Sequence, residues 1–182
     1  MRVTERAHEA VGAVVRAGES VVDATVGNGH DTLFLASCVG PSGSVIGFDV
    51  QQEALARATE RLRAAQIDLA VFRPHWSGHE NLAEWVTGPV AAVMFNLGYL
   101  PGGDHTVTTR GETTVRALRQ AWKLLRPAGI LSVVCYRGHP SGAEEAAAVV
   151  DEMRGLAGGE VEISGREETE NGPFLVAARK NG

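Results

Sequence analysis

The chain has little cysteine, no long apolar run and no excess of positive charge, and each shortage removes a class of protein. Its two cysteines, Cys38 and Cys135, sit inside apolar runs at no metal-ligand spacing. A secreted disulfide scaffold is therefore excluded, and both read as reduced core residues. No apolar stretch approaches the ~18–20 residues of a membrane span. The first residues, MRVTERAHEAVGAVV, mix acids with bases and contain no apolar signal core, which predicts a cytoplasmic protein. No repeat, low-complexity tract or linker interrupts the 182 residues, a length that predicts one domain over 1–182. Such a domain buries about two-thirds of its unfolded surface. A net charge of −5 excludes a protein whose whole surface grips nucleic acid.

The charge is uneven, however. Residues 100–140 carry Arg110, Arg116, Arg119, Lys123, Arg126 and Arg137 against Asp104 and Glu112, a local balance of +4 that leaves −9 for the rest. Taken alone this is the solvated face of a helix; beside a site it becomes a landing patch for phosphates.

Helical and strand signals alternate from end to end. Helical spacing covers 4–17, DTLFLASCV, QQEALARATERLRAAQ, a short ENLAEWV, TTRGETTVRALRQAWKLL and GAEEAAAVVDEMRGL. Apolar strand signals are SVVDA, SVIGFD, DLAVFR, PVAAVMFN and ILSVVCY, with a final pair, EVEISGREE and PFLVAARK, joined by the turn TENGP. Near-continuous apolar strands alternating with helices predict an α/β fold with a doubly wound, mainly parallel sheet, carrying an antiparallel C-terminal hairpin at one edge. Pro127–Gly129 reads as the turn closing the basic helix.

Ligands of such sheets bind beyond the carboxyl ends of the strands. The first strand end runs D23-A-T-V-G-N-G-H-D31, a partial dinucleotide fingerprint in which Gly27 and Gly29 allow close backbone approach. Asp31 stands where a carboxylate suits a helix cap and dipole. Asp49, about 20 residues further at the second strand end, is placed to bind ribose hydroxyls. The third strand end gives HWSGHE, where Pro74 and Gly78 work against a helix that would align His75 and His79 on one metal. Ser77 and His79 instead suit the surroundings of an adenine. The fourth end gives N96-L-G-Y99-L-P-G-G-D104-H105: Asn96 and loop carbonyls offer acceptors, and Tyr99 an aromatic wall, for a nitrogen nucleophile.

These strings, with K123-L-L-R-P-A-G-I, resemble class I S-adenosylmethionine-dependent methyltransferases. DATVGNGHDTLFLA, HENL and FNLGYLPGGDHTVTTR resemble more narrowly the family long labelled rRNA methylases. Characterised members of that family methylate the amine of 5-aminomethyl-2-thiouridine at the tRNA wobble position. The resemblance implies a Rossmann-like seven-stranded sheet and S-adenosylmethionine as cofactor, held by Gly27, Asn28, Gly29, Asp31, Asp49, Gln51, Ser77 and His79. It implies catalysis by Asn96, Tyr99, Asp104 and His105, the last two as proton acceptors. A tRNA anticodon region would meet Arg110, Arg116, Arg119 and Arg137, and a homodimer would help so small a domain span it. Ser77 departs from the family, which often carries an acidic residue there. Other RNA nucleobase methylation, including that of rRNA, and an NAD-dependent oxidoreductase are the rival enzyme readings. A non-catalytic RNA-binding module is a third rival.

Overall fold

The computed structural model describes residues 1–98, 102, 108–138, 141–165 and 172–182. Its elements in chain order are α1 (Val3–Gly12), β1 (Ser20–Asp23), α2 (His30–Val39), β2 (Ser44–Asp49), α3 (Gln52–Ala64), β3 (Phe72–Trp76), α4 (Leu82–Trp85), β4 (Val90–Asn96), α5 (Gly111–Leu124), β5 (Leu125–Cys135), α6 (Gly142–Arg154), β6 (Gly159–Ser164) and β7 (Phe174–Lys180). The seven strands form one sheet in the order β3-β2-β1-β4-β5-β7-β6. The first five run parallel, and β7 lies antiparallel to both β5 and β6. The expected hairpin is thus present, with its antiparallel strand inside and β6 outermost.

Alternation along the strands splits the core between two faces. Val22, Val93 and Phe95 pack with Leu118, Trp122, Val149 and Met153 beneath α5 and α6. Val21 and Met94 pack with Val11, Leu35, Leu55 and Leu62 beneath α1–α3. Neighbouring residues of one strand serving opposite layers is the period-2 geometry of a sheet covered on both sides. Among the described residues no helix is long and apolar enough to cross a membrane.

Three boundaries differ from the sequence expectation. Helix α1 stops at Gly12, five residues before the expected end, because Val14 and Val15 both donate to the Val11 carbonyl in a tight turn. Strand β3 begins at Phe72, where the expected strand was ending; Leu69–Val71 is a single 3-10 turn held by Asp68. Pro74 sits inside β3 because β3 is the sheet edge, where a missing N–H costs nothing. Pro127–Gly129 is not a turn between elements but an irregularity within β5: pairing with β4 jumps from Val90↔Leu125 to Ala92↔Ile130, and Ala128 takes φ +56°.

Candidate active site

The sheet order reverses between β1 and β4, and a cleft of about 720 Å³ opens over their carboxyl ends. It lies within the ~300–1,000 Å³ range of small-molecule sites. Its walls include the glycine turn after β1, Asp49 after β2, Ser77–Glu80 after β3, and Asn96–Gly98 after β4.

The glycine turn is held from three directions. The Gly27 N–H donates to Asp49 Oδ2 at 2.9 Å, and the Gln51 N–H donates to Asp49 Oδ1 at 2.8 Å. From α3, Arg61 Nε donates to the Asn28 carbonyl at 2.7 Å and Arg57 to Asn28 Oδ1 at 3.1 Å. Gly29 has φ +76°, and a Cβ there would stand 2.5 Å from Ala58 Cα. The turn therefore rests directly on α3, and glycine is the residue both conformation and contact require. The Val50 N–H is a third backbone donor to this carboxylate, which lines the cleft. Burial raises the Asp49 pKa above the ordinary carboxylate range, against the pull of its backbone donors.

Behind the turn lies Asp23, fully buried, accepting from the Thr32 hydroxyl at 2.6 Å and the Thr25 N–H at 3.2 Å. Burial, and then the charge of Asp31, push its pKa up to about 7.

At the β3 end, the Ser77 N–H donates to the Asp49 carbonyl at 3.1 Å, so this loop is tied to the same carboxylate-bearing residue. His79 is buried, hydrogen-bonded to the Ala24 backbone and packed edge-on against Phe95 at 5.5 Å; burial lowers its pKa. Among the described residues His79 Nε2 has no hydrogen-bond partner. His75 stacks instead on Phe48 and leans on Trp85, so the two histidines serve different neighbours.

At the β4 end, the Asn96 N–H donates to Thr25 Oγ1 at 2.7 Å, which fastens it to the β1 loop. Its amide Nδ2 lies 3.4 Å from Asp31 Oδ2. A carboxylate accepts only, so the Asn96 Oδ1 is the atom left for the cleft. Asp31 does not cap α2, whose cap is Gly29; its other oxygen meets His8 Nε2 at 2.6 Å, and that imidazole stacks on Phe34 at 4.0 Å. Tyr136 also lines the cleft, its pKa raised by burial and by the Asp31 charge.

The backbone after Asn96 is fixed by a network that sequence reading does not contain. Glu145 of α6 is 3% exposed and accepts from the Thr109 and Thr114 hydroxyls, both at 2.7 Å. The Thr109 hydroxyl in turn accepts the Gly98 N–H at 2.9 Å, while the Thr109 N–H and Thr108 hydroxyl donate to the Gly98 carbonyl. The Gly98 carbonyl, expected as an acceptor for substrate, is thus already engaged. Tyr99, Asp104 and His105 lie outside the described residues.

Of the basic residues, Arg110 lines the cleft mouth. Arg116 and Lys123 share a groove beside α6 with Arg119, whose guanidinium makes a two-pronged pair with Glu152 at 2.9 and 2.8 Å. Arg137 holds the Gly172 carbonyl at 3.2 Å and lies 5.1 Å over the Phe174 ring. Arg126 ties β5 to Glu19 and the Val14 carbonyl, and is no helix cap.

Comparison with known proteins follows this geometry. A family model described as "Putative rRNA methylase" matches residues 45–178. A tRNA (mnm(5)s(2)U34)-methyltransferase of Arabidopsis thaliana chloroplasts is 37% identical over 153 residues, 79% of this chain and 56% of its own length. The chain thus spans about half of that curated relative. A "putative rRNA-methylase" from Clostridium thermocellum superposes with TM-score 0.94 at 40% identity, covering 99% of this chain and 98% of its own. A "putative methyltransferase" from Streptococcus mutans, solved in complex with SAH, gives TM-score 0.88 at 32% identity with 99% and 98% coverage. The chain belongs to the rRNA methylase family that this model describes.

Proposed function

We propose that this protein transfers a methyl group from S-adenosylmethionine to the exocyclic primary amine of 5-aminomethyl-2-thiouridine at the wobble position of tRNA. The observation that carries the reading is the placement of Asn96: it lines the same cleft as Asp49 and the glycine turn, and its Nδ2 is engaged by Asp31, which leaves the amide oxygen for a substrate N–H. The residues fit the cofactor on chemical grounds. Asp49 lines the cleft as the acceptor for a ribose hydroxyl, and Gln51, Ser77 and His79 bound the adjoining region, as Gly27 and Asn28 of the turn that donates to Asp49 do the methionine end. S-adenosylmethionine supplies, when bound, an electrophilic methyl group on a sulfonium.

The chain's own part is to orient the amine and leave it neutral. An alkyl amine has a reference pKa near ~10.4 and arrives as an ammonium without a lone pair. Asn96 Oδ1 accepts an N–H without adding a charge, whereas a carboxylate in direct contact would raise the amine's pKa. Arg110, Arg116 and Arg137 flank the cleft mouth and the adjoining α5 face, and are the residues we assign to RNA phosphates.

The substrate assignment agrees with the activity for which the Arabidopsis relative is named, and the family's name favours rRNA as the second reading. Nucleoside mass spectrometry of RNA from cells with and without the gene decides between them. Accumulation of the unmethylated aminomethyl nucleoside in tRNA is expected. A missing methyl group on an rRNA base, with tRNA unchanged, would overturn the assignment.

A further inference from the structure

His8 on α1 and Asp31 on α2 form a contact that the proposed function leaves unused. The His8 Nε2 to Asp31 Oδ1 distance is 2.6 Å, and the imidazole lies flat on Phe34, 3° from parallel. The side chains are 29% and 9% exposed respectively, so the pair spans from solvent to the cleft lining. Its inner end meets Asn96, the residue assigned to hold the substrate amine. The other titratable groups facing it are Asp23 from β1 and Tyr136 beyond β5. Burial first, and then the Asp31 charge, push both toward their neutral, protonated forms. A proton acceptor thus stands beside Asn96, with an exit to water behind it.

We propose that Asp31 takes the proton from the substrate ammonium and that His8, acting through Asp31, passes it to solvent. This rests on the reading of the cleft as an amine-methylating site. The balance is one proton out per methyl group in. The ammonium loses H⁺ to the Asp31–His8 pair, and the freed lone pair on nitrogen forms the new N–C bond. The electron pair of the broken carbon–sulfur bond stays with sulfur, and the product leaves as a secondary ammonium. The pair returns to its starting state when the outer face of His8 gives H⁺ to water. Asn96 holds the amine by one N–H while Asp31, which itself lines the cleft, takes the proton directly; neutralised by that proton, Asp31 leaves no carboxylate charge to lock the ammonium form.

Single-turnover methylation of tRNA carrying the aminomethyl group, measured from pH 6 to 10 with saturating cofactor, tests the route. His8→Ala is expected to slow the reaction about tenfold or more at pH 7. Added imidazole should restore part of the rate, and the defect should close as pH approaches the amine's own range. Asp31→Asn should show a deeper defect with the same narrowing. Calorimetric affinity for S-adenosylhomocysteine should stay within about threefold of wild type in His8→Ala. Equal rates for His8→Ala and wild type across this range would overturn the route. So would a pH-independent defect that imidazole leaves untouched, or a loss of cofactor affinity in His8→Ala as large as its loss of rate. Failure of the wild-type protein to methylate this tRNA at any pH is a different result and refutes the substrate reading instead.

Discussion

At the β1–β2 end of the cleft the backbone does most of the holding: the Gly27 and Gln51 amides converge on one carboxylate, and Gly29 lies against α3 with no room for a side chain. At the β4 end the holding is done by side chains distant in sequence. Glu145 fixes the backbone of Gly98 through Thr109, and Asp31 turns the amide of Asn96 while engaging His8. The first arrangement suits a group that is the same for every member of a large superfamily. The second leaves the reacting end adjustable by changes scattered along the chain. On the proposed function the first end binds the cofactor and the second positions the substrate, and that division can be tested.

The largest effect is expected from Asn96→Ala. It should lose about 100-fold in single-turnover rate, while calorimetric affinity for S-adenosylhomocysteine changes by less than about threefold. Wild-type rates with saturating tRNA and cofactor would place the catalytic centre elsewhere. Asp49→Ala should do the reverse, weakening S-adenosylhomocysteine by about 10- to 100-fold, since charged-group hydrogen bonds contribute about 1.5–3 kcal/mol each. Unchanged affinity would remove the ribose from this strand end.

Asp23 lies behind both ends and sharpens the comparison through pH. Its carboxyl is pushed to about 7 in the folded protein, above the unfolded value of ~3.9. The folded state therefore keeps a proton that the unfolded chain releases. The stabilisation is fully present below about pH 4 and is lost as pH rises through about 7, a change on the order of 2–4 kcal/mol. Asp49, also raised, acts in the same direction. Urea unfolding at pH 5 and pH 8 should show wild type weakening while Asp23→Asn stays flatter; parallel pH profiles would refute the assignment. The smallest effect concerns RNA. Arg110→Ala and Arg116→Ala should each reduce the slope of log affinity against log salt by about 0.7–0.9. Arg119→Ala should leave it nearly unchanged, its guanidinium being committed to Glu152. Equal slopes for all three variants would return this helix face to ordinary solvation.

What the sequence made legible follows the same division. Asp49 and Asn96 end their strands and Gly27 and Gly29 lie in the turn that leaves β1, so local apolar runs suffice to place them at one end of the sheet. His8 and Asp31 are 23 residues apart, and Thr109 and Glu145 are 36 apart. Their meeting depends on the phase and tilt of separate helices, which no local pattern encodes. Glu145 carried a signal of a kind, an acid on the apolar face of α6 beside Ala146, Val149 and Val150. The late start of β3 was hidden by Pro74, which reads as a strand breaker until the strand is known to be an edge. The irregularity in β5 was hidden likewise, because Pro127–Gly129 has the chemistry of a turn wherever it stands.

The place of β7 sets an order on assembly. It follows every other strand in the chain yet lies between β5 and β6, and β6 reaches the sheet only through it. A nascent chain halted at residue 173 can close the five parallel strands, but β5 then presents a bare row of hydrogen-bonding groups and residues 159–164 have nothing to pair with. Such an edge recruits strands from other molecules. During synthesis, the protection of this flank therefore waits on residues 174–180, and slowing translation just before them should raise aggregation without altering the finished fold.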